Sequence, residues 1–365
     1  MKYTLQIKTG DAEYRALRNI PKVIFSNSDF RVLVEITRGR KSKNDKIGDL
    51  QKRIDALGDF LDPSTFVFFD ITSEESLSNK QIDELYEFQQ GYANWVALFA
   101  KLHSQYPNAI PMLLVNDQDG GYVNFAKQIK TFTEKYNKIG YKIYPAIDAD
   151  IIEEEIKIIK DNINNDTQLF VFYDQGYIVD GLIRIATTKA IDYLGKISSI
   201  LESVHNVEYI FTSTSFPDSV TSLSGNMNGK IKCSEIFLYE QIANAITNIN
   251  VSYSDYGSIT PKRNDEAAYY SRGWTPRIDV PVISQQQIYY YRQKREKRDY
   301  ADVYVDVASK CISDSLFPKN IDCWGVQTIK NAAAGLKPGA TPSFWLSVRM
   351  NIFIVEQLKR LSIIQ

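Results

Sequence analysis

The chain has 365 residues, 44% of them hydrophobic, enough for two average domains or for one large α/β barrel with an extension. Lysine and arginine number 43 against 44 aspartate and glutamate, a formal charge of −1, so no global field marks a nucleic-acid or membrane-surface binder. Two histidines and three cysteines without a CxxC spacing argue against a Ser-His-Asp triad, a histidine-rich zinc site and a disulfide framework.

No apolar run approaches the roughly 20 residues that cross a bilayer, and Met1-Lys2-Tyr3-Thr4-Leu5 lacks the apolar segment of a secretory signal. The expectation is a cytoplasmic chain without membrane contact, with Cys233, Cys311 and Cys323 as reduced thiols. His103 and His205 fall near the C-terminal ends of helical stretches and read as caps or surface residues.

Short runs rich in Val, Ile, Phe and Tyr alternate with stretches of 3.6-residue periodicity, the pattern of a parallel sheet with crossover helices. Eight strands are predicted: Tyr3–Lys8, Arg31–Ile36, Phe66–Ile71, Ile110–Asn116, Tyr141–Ile147, Leu169–Asp174, Tyr209–Ser213 and Val251–Asp255. Phe66-Val67-Phe68-Phe69 and Leu169-Phe170-Val171-Phe172-Tyr173 are continuously apolar, as strands covered on both faces should be. Between them, a helix begins near Asp11 with that residue as cap, another runs from Ser78 to about Ser104, and a third covers Ile178–Val204. This order predicts an α/β fold of the (β/α)8 TIM-barrel type. The alternative, an open doubly wound sheet, usually carries a glycine-rich turn after its first strand, and Lys8-Thr9-Gly10-Asp11 is no GxGxxG.

Past the eighth strand, Ser258–Arg298 contains Pro261, Pro276 and Pro281 and two extended stretches, Arg277–Ile283 and Gln287–Arg292, which predict an inserted β-hairpin. Helical patterns resume at Tyr300–Ser313, Gly325–Ala334 and Ser343–Leu361; one should close the barrel and the others pack as a C-terminal extension. With no linker, low-complexity tract or repeat, residues 1–365 read as one domain.

Catalytic groups of such barrels sit at the C-terminal ends of the strands. Lys8, Glu35, Asp70, Asn116, Asp148, Asp174, Ser213 and Asp255 fall at or just past those ends. Several ionisable groups of one sign on one rim imply a cation, a basic partner or a functional need, with Lys8 and Glu35 the first expected ion pair. The plainer alternative makes each a solvated strand end or a helix cap, and Asp148, with Asp150 at a helix start behind it, fits that best.

Two loops resemble ligand motifs and fail in detail. Gly225-Asn226-Met227-Asn228-Gly229-Lys230 is one residue short of a phosphate loop, and Ile231 stands where Ser or Thr is required, so it reads as a simple loop. Asp117-Gln118-Asp119-Gly120-Gly121 has Tyr122 where a calcium loop needs Gly and no Glu at its end. The stretch Ile288–Arg298 carries five basic and three aromatic side chains in eleven residues, suited to phosphate neutralisation and base stacking through Arg292, Lys294 and Arg295. Its alternative is a hairpin that packs its tyrosines and ends in a solvated turn. Arg272, Trp274 and Arg277 would extend a binding surface if they faced the rim.

The opening Tyr3–Lys8 with Gly10-Asp11 and the Ala16-Leu17 helix, Leu33-Val34-Glu35-Ile36, Phe68-Phe69-Asp70-Ile71, Thr214-Ser215-Phe216-Pro217, Ser254-Asp255-Tyr256-Gly257, Trp324-Gly325 and Glu356-Gln357-Leu358 follow one another in register along the chain. Together these segments resemble the phage-type "beta protein" family. Asp11 stands where the family has Glu, and Ser254 where it has Gly. The resemblance implies a barrel-like protein of phages, prophages and bacterial defence loci, with recurring polar positions at Lys8, Glu35, Asp70, Ser215, Asp255 and Arg277.

Two functions follow as expectations. One is a binding or sensor component of a phage–host conflict system whose rim holds a nucleotide, a nucleic acid or a protein partner, with Ser215, Arg277, Arg292, Lys294 and Arg295 as binding residues. The other is a divalent-metal phosphodiesterase or nuclease in which Lys8, Glu35, Asp70, Asp174 and Asp255 are catalytic and Glu35 and Asp70 hold Mg²⁺ or Mn²⁺. A third, plainer possibility is an interaction scaffold whose rim charges pair with one another.

Overall fold

A computed structural model describes residues 2–41, 45–218, 227–262 and 273–365. The strands are β1 (Tyr3–Lys8), β2 (Phe30–Ile36), β3 (Val67–Ile71), β4 (Ala109–Pro111), β5 (Lys138–Ile143), β6 (Gln168–Tyr177), β7 (Val207–Thr214), β8 (Asn228–Lys232), β9 (Val251–Asp255), β10 (Arg277–Val282) and β11 (Gln287–Arg292). All but β8, β10 and β11 form one eight-stranded parallel sheet, ordered β4-β3-β2-β1-β9-β7-β6-β5. Its edges meet at a parallel bridge between Met112 and Gly140, where Leu113 N donates to Gly140 O at 2.7 Å, so the sheet forms a nearly closed (β/α)8 barrel. A Cβ on Gly140 would strike the Met112 sulfur, which is why the closing position has none.

Side chains alternate across every strand. Leu33, Phe68, Ile110, Met112, Phe170, Phe172 and Ile210 form the small cluster inside the barrel, while Val32, Val34, Val67, Phe69, Leu169, Val171, Tyr209 and Phe211 face outward into the large helix-covered core. The N-terminal end of the interior is closed by charge. Arg31 donates to both Glu208 oxygens at 2.7 and 3.1 Å, Ser252 and Lys2 add donors at 2.8 and 3.0 Å, and Arg31 lies 4.8 Å over the Phe66 ring.

Several boundaries differ from expectation. β4 is only three residues long because Pro111 has no N–H to continue a ladder. β5 begins at Lys138, three residues before the predicted Tyr141, and ends at Ile143, ahead of Tyr144-Pro145 and four residues before the predicted Ile147. The long helix after Ser78 is two, Lys80–Leu85, capped by Asn79, and Gln89–Gln105. Asp11 is the first residue of its helix rather than the cap, which is Gly10; its carboxylate pairs with Arg53.

The predicted hairpin forms as β10 and β11, and β8 pairs with β11 to make a three-stranded antiparallel sheet. Asn228–Lys230, read as loop, is thus strand; Gly225 and Asn226 of that stretch, and Arg272, lie outside the described residues. Ile278, Val280 and Tyr291 join the helices Tyr300–Ser313 and Trp324–Ala333 in a second apolar cluster. The helix Pro342–Arg360 buries thirteen residues against the first helix, β10 and the barrel wall, and so supplies the helix that follows β9 in the barrel.

Candidate functional site

Inward-facing positions at the C-terminal ends of β1, β2, β3, β5 and β6 bring Lys8, Glu35, Asp70, Lys142 and Asp174 to the barrel mouth. Glu35 stands in register beside Lys8 on one side and Asp70 on the other. Lys8 donates to Glu35 and lies 3.7 Å from Glu74, while Lys142 Nζ is 2.6 Å from Asp70 Oδ2. Asp174 accepts from the Tyr256 hydroxyl at 2.5 and 2.6 Å, from Gln6 Nε2 at 3.3 Å and, across a β-bulge, from Gly176 N at 3.0 Å. All five side chains are buried.

The electrostatics follow from burial set against these partners. Burial alone would raise Glu35, but Lys8 and Lys142 outweigh it and hold the carboxyl at about 2. Burial dominates at Asp70 and Asp174 and raises both, Lys142 opposing in each case. Burial works against the Lys142 charge too, yet Asp70, Tyr144, Glu35 and Asp174 together lift its pKa well above the usual lysine value. Tyr256, Tyr86 and Tyr144 are raised by burial and stay neutral, Tyr256 donating to Asp174 and Tyr86 to Ile71 O.

Asp255 does not join this group. It shares the outward parity of Val251 and Tyr253 on β9, so it points away from the interior, accepting from Tyr3 Oη at 2.8 Å, Gln357 Nε2 at 3.2 Å and Gly257 N at 2.8 Å. Burial pushes its pKa up to about 6. Ser213 has the same parity, Asp148 caps the helix Ala149–Asn162 by accepting from Asp150 N, and Asn116 donates to Tyr86 O.

Ser215 is engaged as a structural link, since its hydroxyl donates to Lys232 O at 2.6 Å and also meets Glu235. Arg277 belongs to the second sheet, donating to Asp279 at 2.5 Å under the Tyr290 ring. Arg292 also lies by Tyr290, 5.4 Å from its centroid. Lys294 and Arg295 are exposed, with Arg295 stacked 4.5 Å from Tyr300, whereas Tyr290 and Tyr291 are buried and turned away from any incoming base.

Among the described residues no group of three or more His, Cys, Asp or Glu is arranged to hold a metal ion. Glu35 and Asp70, the expected ligands, each have a lysine ammonium where a cation would sit. Lys142, Gln6 and Tyr256 are the mouth residues that sequence reasoning missed. The signal for Lys142 was its spacing of four from Lys138, both on the parity of Gly140.

A family model described as Beta protein matches residues 3–359. No curated protein matches the chain. Among solved structures, the crystal structure of the Bacillus cereus spore cortex-lytic enzyme SleL aligns over 96% of this chain and 74% of that chain, with 10% identity and a TM-score of 0.35.

Proposed function

The chain belongs to the Beta protein family, and from that premise we propose that it is the binding or sensor component of a phage–host conflict system, acting in the cytoplasm, whose barrel mouth receives a basic group of a protein partner. One observation carries this reading: Asp174 faces the mouth and forms no ion pair among the described residues, its partners being Tyr256, Gln6 and a backbone N–H. Four carboxylates, Glu35, Asp70, Asp174 and the partly exposed Glu74, face two lysines, Lys8 and Lys142, so an ammonium or guanidinium group entering in place of the Tyr256 hydroxyl offsets part of the excess negative charge. A nucleotide phosphate would meet like charge there. No helix of the described residues is long and apolar enough to cross a membrane.

The test is thermal unfolding of the whole protein with agmatine as a guanidinium probe, with AMP, and with Mg²⁺ or Mn²⁺. Agmatine should raise Tm in the unaltered protein and not in Asp174→Asn, because a ligand stabilises only the state that binds it. A response to AMP alone would overturn the basic-group reading. A metal response abolished in a Glu35→Gln, Asp70→Asn double variant would replace it with the metal-dependent phosphodiesterase or nuclease.

Nucleic acid remains a second partner reading because Lys294, Arg295 and Lys297 are exposed on one turn. Changing Arg292, Lys294, Arg295, Lys297 and Arg298 together to Ala should then weaken DNA or RNA binding and flatten its salt dependence. Absence of binding at low salt would leave the turn as a solvated surface.

A further inference from the structure

Outside the barrel mouth, two buried guanidinium groups converge on one carboxylate. Asp279 of β10 accepts from Arg277 Nε at 2.5 Å and from Arg349 Nη1 at 2.6 Å, so one carboxylate serves two guanidinium groups. Arg349 is 5% exposed, and only 10% of the Arg277 side chain reaches solvent. Rings close their flat faces: Tyr290 lies 4.6 Å from Arg277 Cζ, and Phe216 3.7 Å from Arg349 Cζ.

Their edges are open in the chemical sense. Arg277 Nη1 and Nη2 and Arg349 Nε are buried and meet no acceptor among the described residues. Buried N–H groups are nearly always satisfied, and those of a charged guanidinium are the most costly to leave unmade. Arg277 also stands directly opposite Arg292 in the register, a like-charged cross-strand pair. Burial and the neighbouring Arg277 both weaken the Arg349 charge, and Asp279 alone opposes them.

We propose that Arg277 and Arg349 form a binding site for an oxyanion, a phosphate or carboxylate group, gripped by the unused Nη1–Nη2 fork of Arg277 with Arg349 supplying the second charge. The two terminal nitrogens of a guanidinium match two oxygens of one carboxylate or phosphate, a geometry that lysine cannot reproduce. Asp279 holds both side chains in place through Arg277 Nε and Arg349 Nη1, leaving the fork for the ligand. Phe216, just beyond the end of β7, brings the site to the same end of the barrel as the mouth. No residue is shared with the mouth cluster, so either site can fail without the other.

The experiment is calorimetric titration and thermal unfolding of the full chain in inorganic phosphate, acetate and chloride at matched ionic strength. Phosphate or acetate should raise Tm above the chloride value, and Arg277→Lys should bind the same anion about tenfold more weakly, since the charge survives and the fork does not. A response to phosphate alone assigns a phosphate group, and one to acetate alone a carboxylate. Equal Tm in all three anions, or an Arg277→Lys response equal to that of the unaltered protein, overturns the site. Should Arg277→Lys not fold, Arg349→Lys is read in the same way, and a saturable heat of binding in the titration of the unaltered protein, which the general salt effect of phosphate does not produce, decides by itself.

Discussion

Glu35 and Asp70 stand directly opposite one another on adjacent parallel strands, yet their carboxyl groups are driven in opposite directions. Burial acts on both; two lysines overcome it at Glu35 and hold that group at about 2, while one lysine fails to overcome it at Asp70, which is raised. A pair of neighbouring carboxyls pushed apart in this way keeps one group ionised and makes the other easier to protonate.

Removing the ionised member should be costly. Glu35→Gln leaves Lys8 with only Glu74, 3.7 Å away and partly exposed, and it also removes charge from beside Lys142. A loss of about 3 kcal/mol is expected, the lower end of what breaking a buried ion pair costs, read by urea unfolding at pH 7. A loss below about 1 kcal/mol, the range of surface pairs, would show the pair to be solvated.

Stability should fall as pH rises from about 5 to 8. Burial raises Glu235 and Glu356 from their ordinary 4.5 to about 7. A carboxyl raised in the folded state binds its proton more tightly there than in the unfolded chain, so its contribution is complete below 4.5 and is lost as pH climbs through 7. The shift at Glu235 corresponds to about 3 kcal/mol. Glu235→Gln should flatten the decline measured by thermal unfolding across that range; an unchanged slope would mean that the acid is not protonated when folded. Glu35 has the opposite sign, and its contribution disappears only as pH falls from 4.5 towards 2.

Gly140→Val should loosen barrel closure. The added atoms would meet the Met112 sulfur and then Phe68, so the β4–β5 seam must open or Met112 must leave the interior. Overpacking of this kind costs about 1–3 kcal/mol, and hydrogen exchange at Leu113 N should accelerate more than at β1. Equal acceleration at both would indicate global destabilisation instead.

At the other end of the barrel, Arg31→Met should destabilise by about 3–5 kcal/mol because it strips Glu208 of its bidentate partner. Adding Glu208→Leu should recover much of that loss, since the apolar pair removes both buried charges. A double variant no more stable than the single one would show that Arg31 acts mainly by packing on Phe66 and Phe170.

The sequence by itself determined the barrel, because strands buried on both faces must be continuously apolar and their alternation with helices survives in composition. β1 and β9 coincide with their predicted spans to the residue, and Lys8, Glu35, Asp70 and Asp174 were legible as strand ends. Tertiary structure decided which of them meet. A strand end marks a height on the barrel, but only the parity of each position marks inside or outside, so Asp255, one residue off the inward parity of Ser254, turns to Tyr3 and Gln357 instead. Lys142 stayed hidden because a strand begun at Tyr141 leaves out Lys138-Ile139-Gly140, the half of the alternation that sets its inward register; Pro145 ends the strand, and pairing with β6 places Lys142 beside Phe172, two residues below Asp174. The excess of guanidinium around Asp279 was least visible of all, since Arg277 and Arg349 lie 72 positions apart in the chain and meet only where the helix Pro342–Arg360 crosses β10.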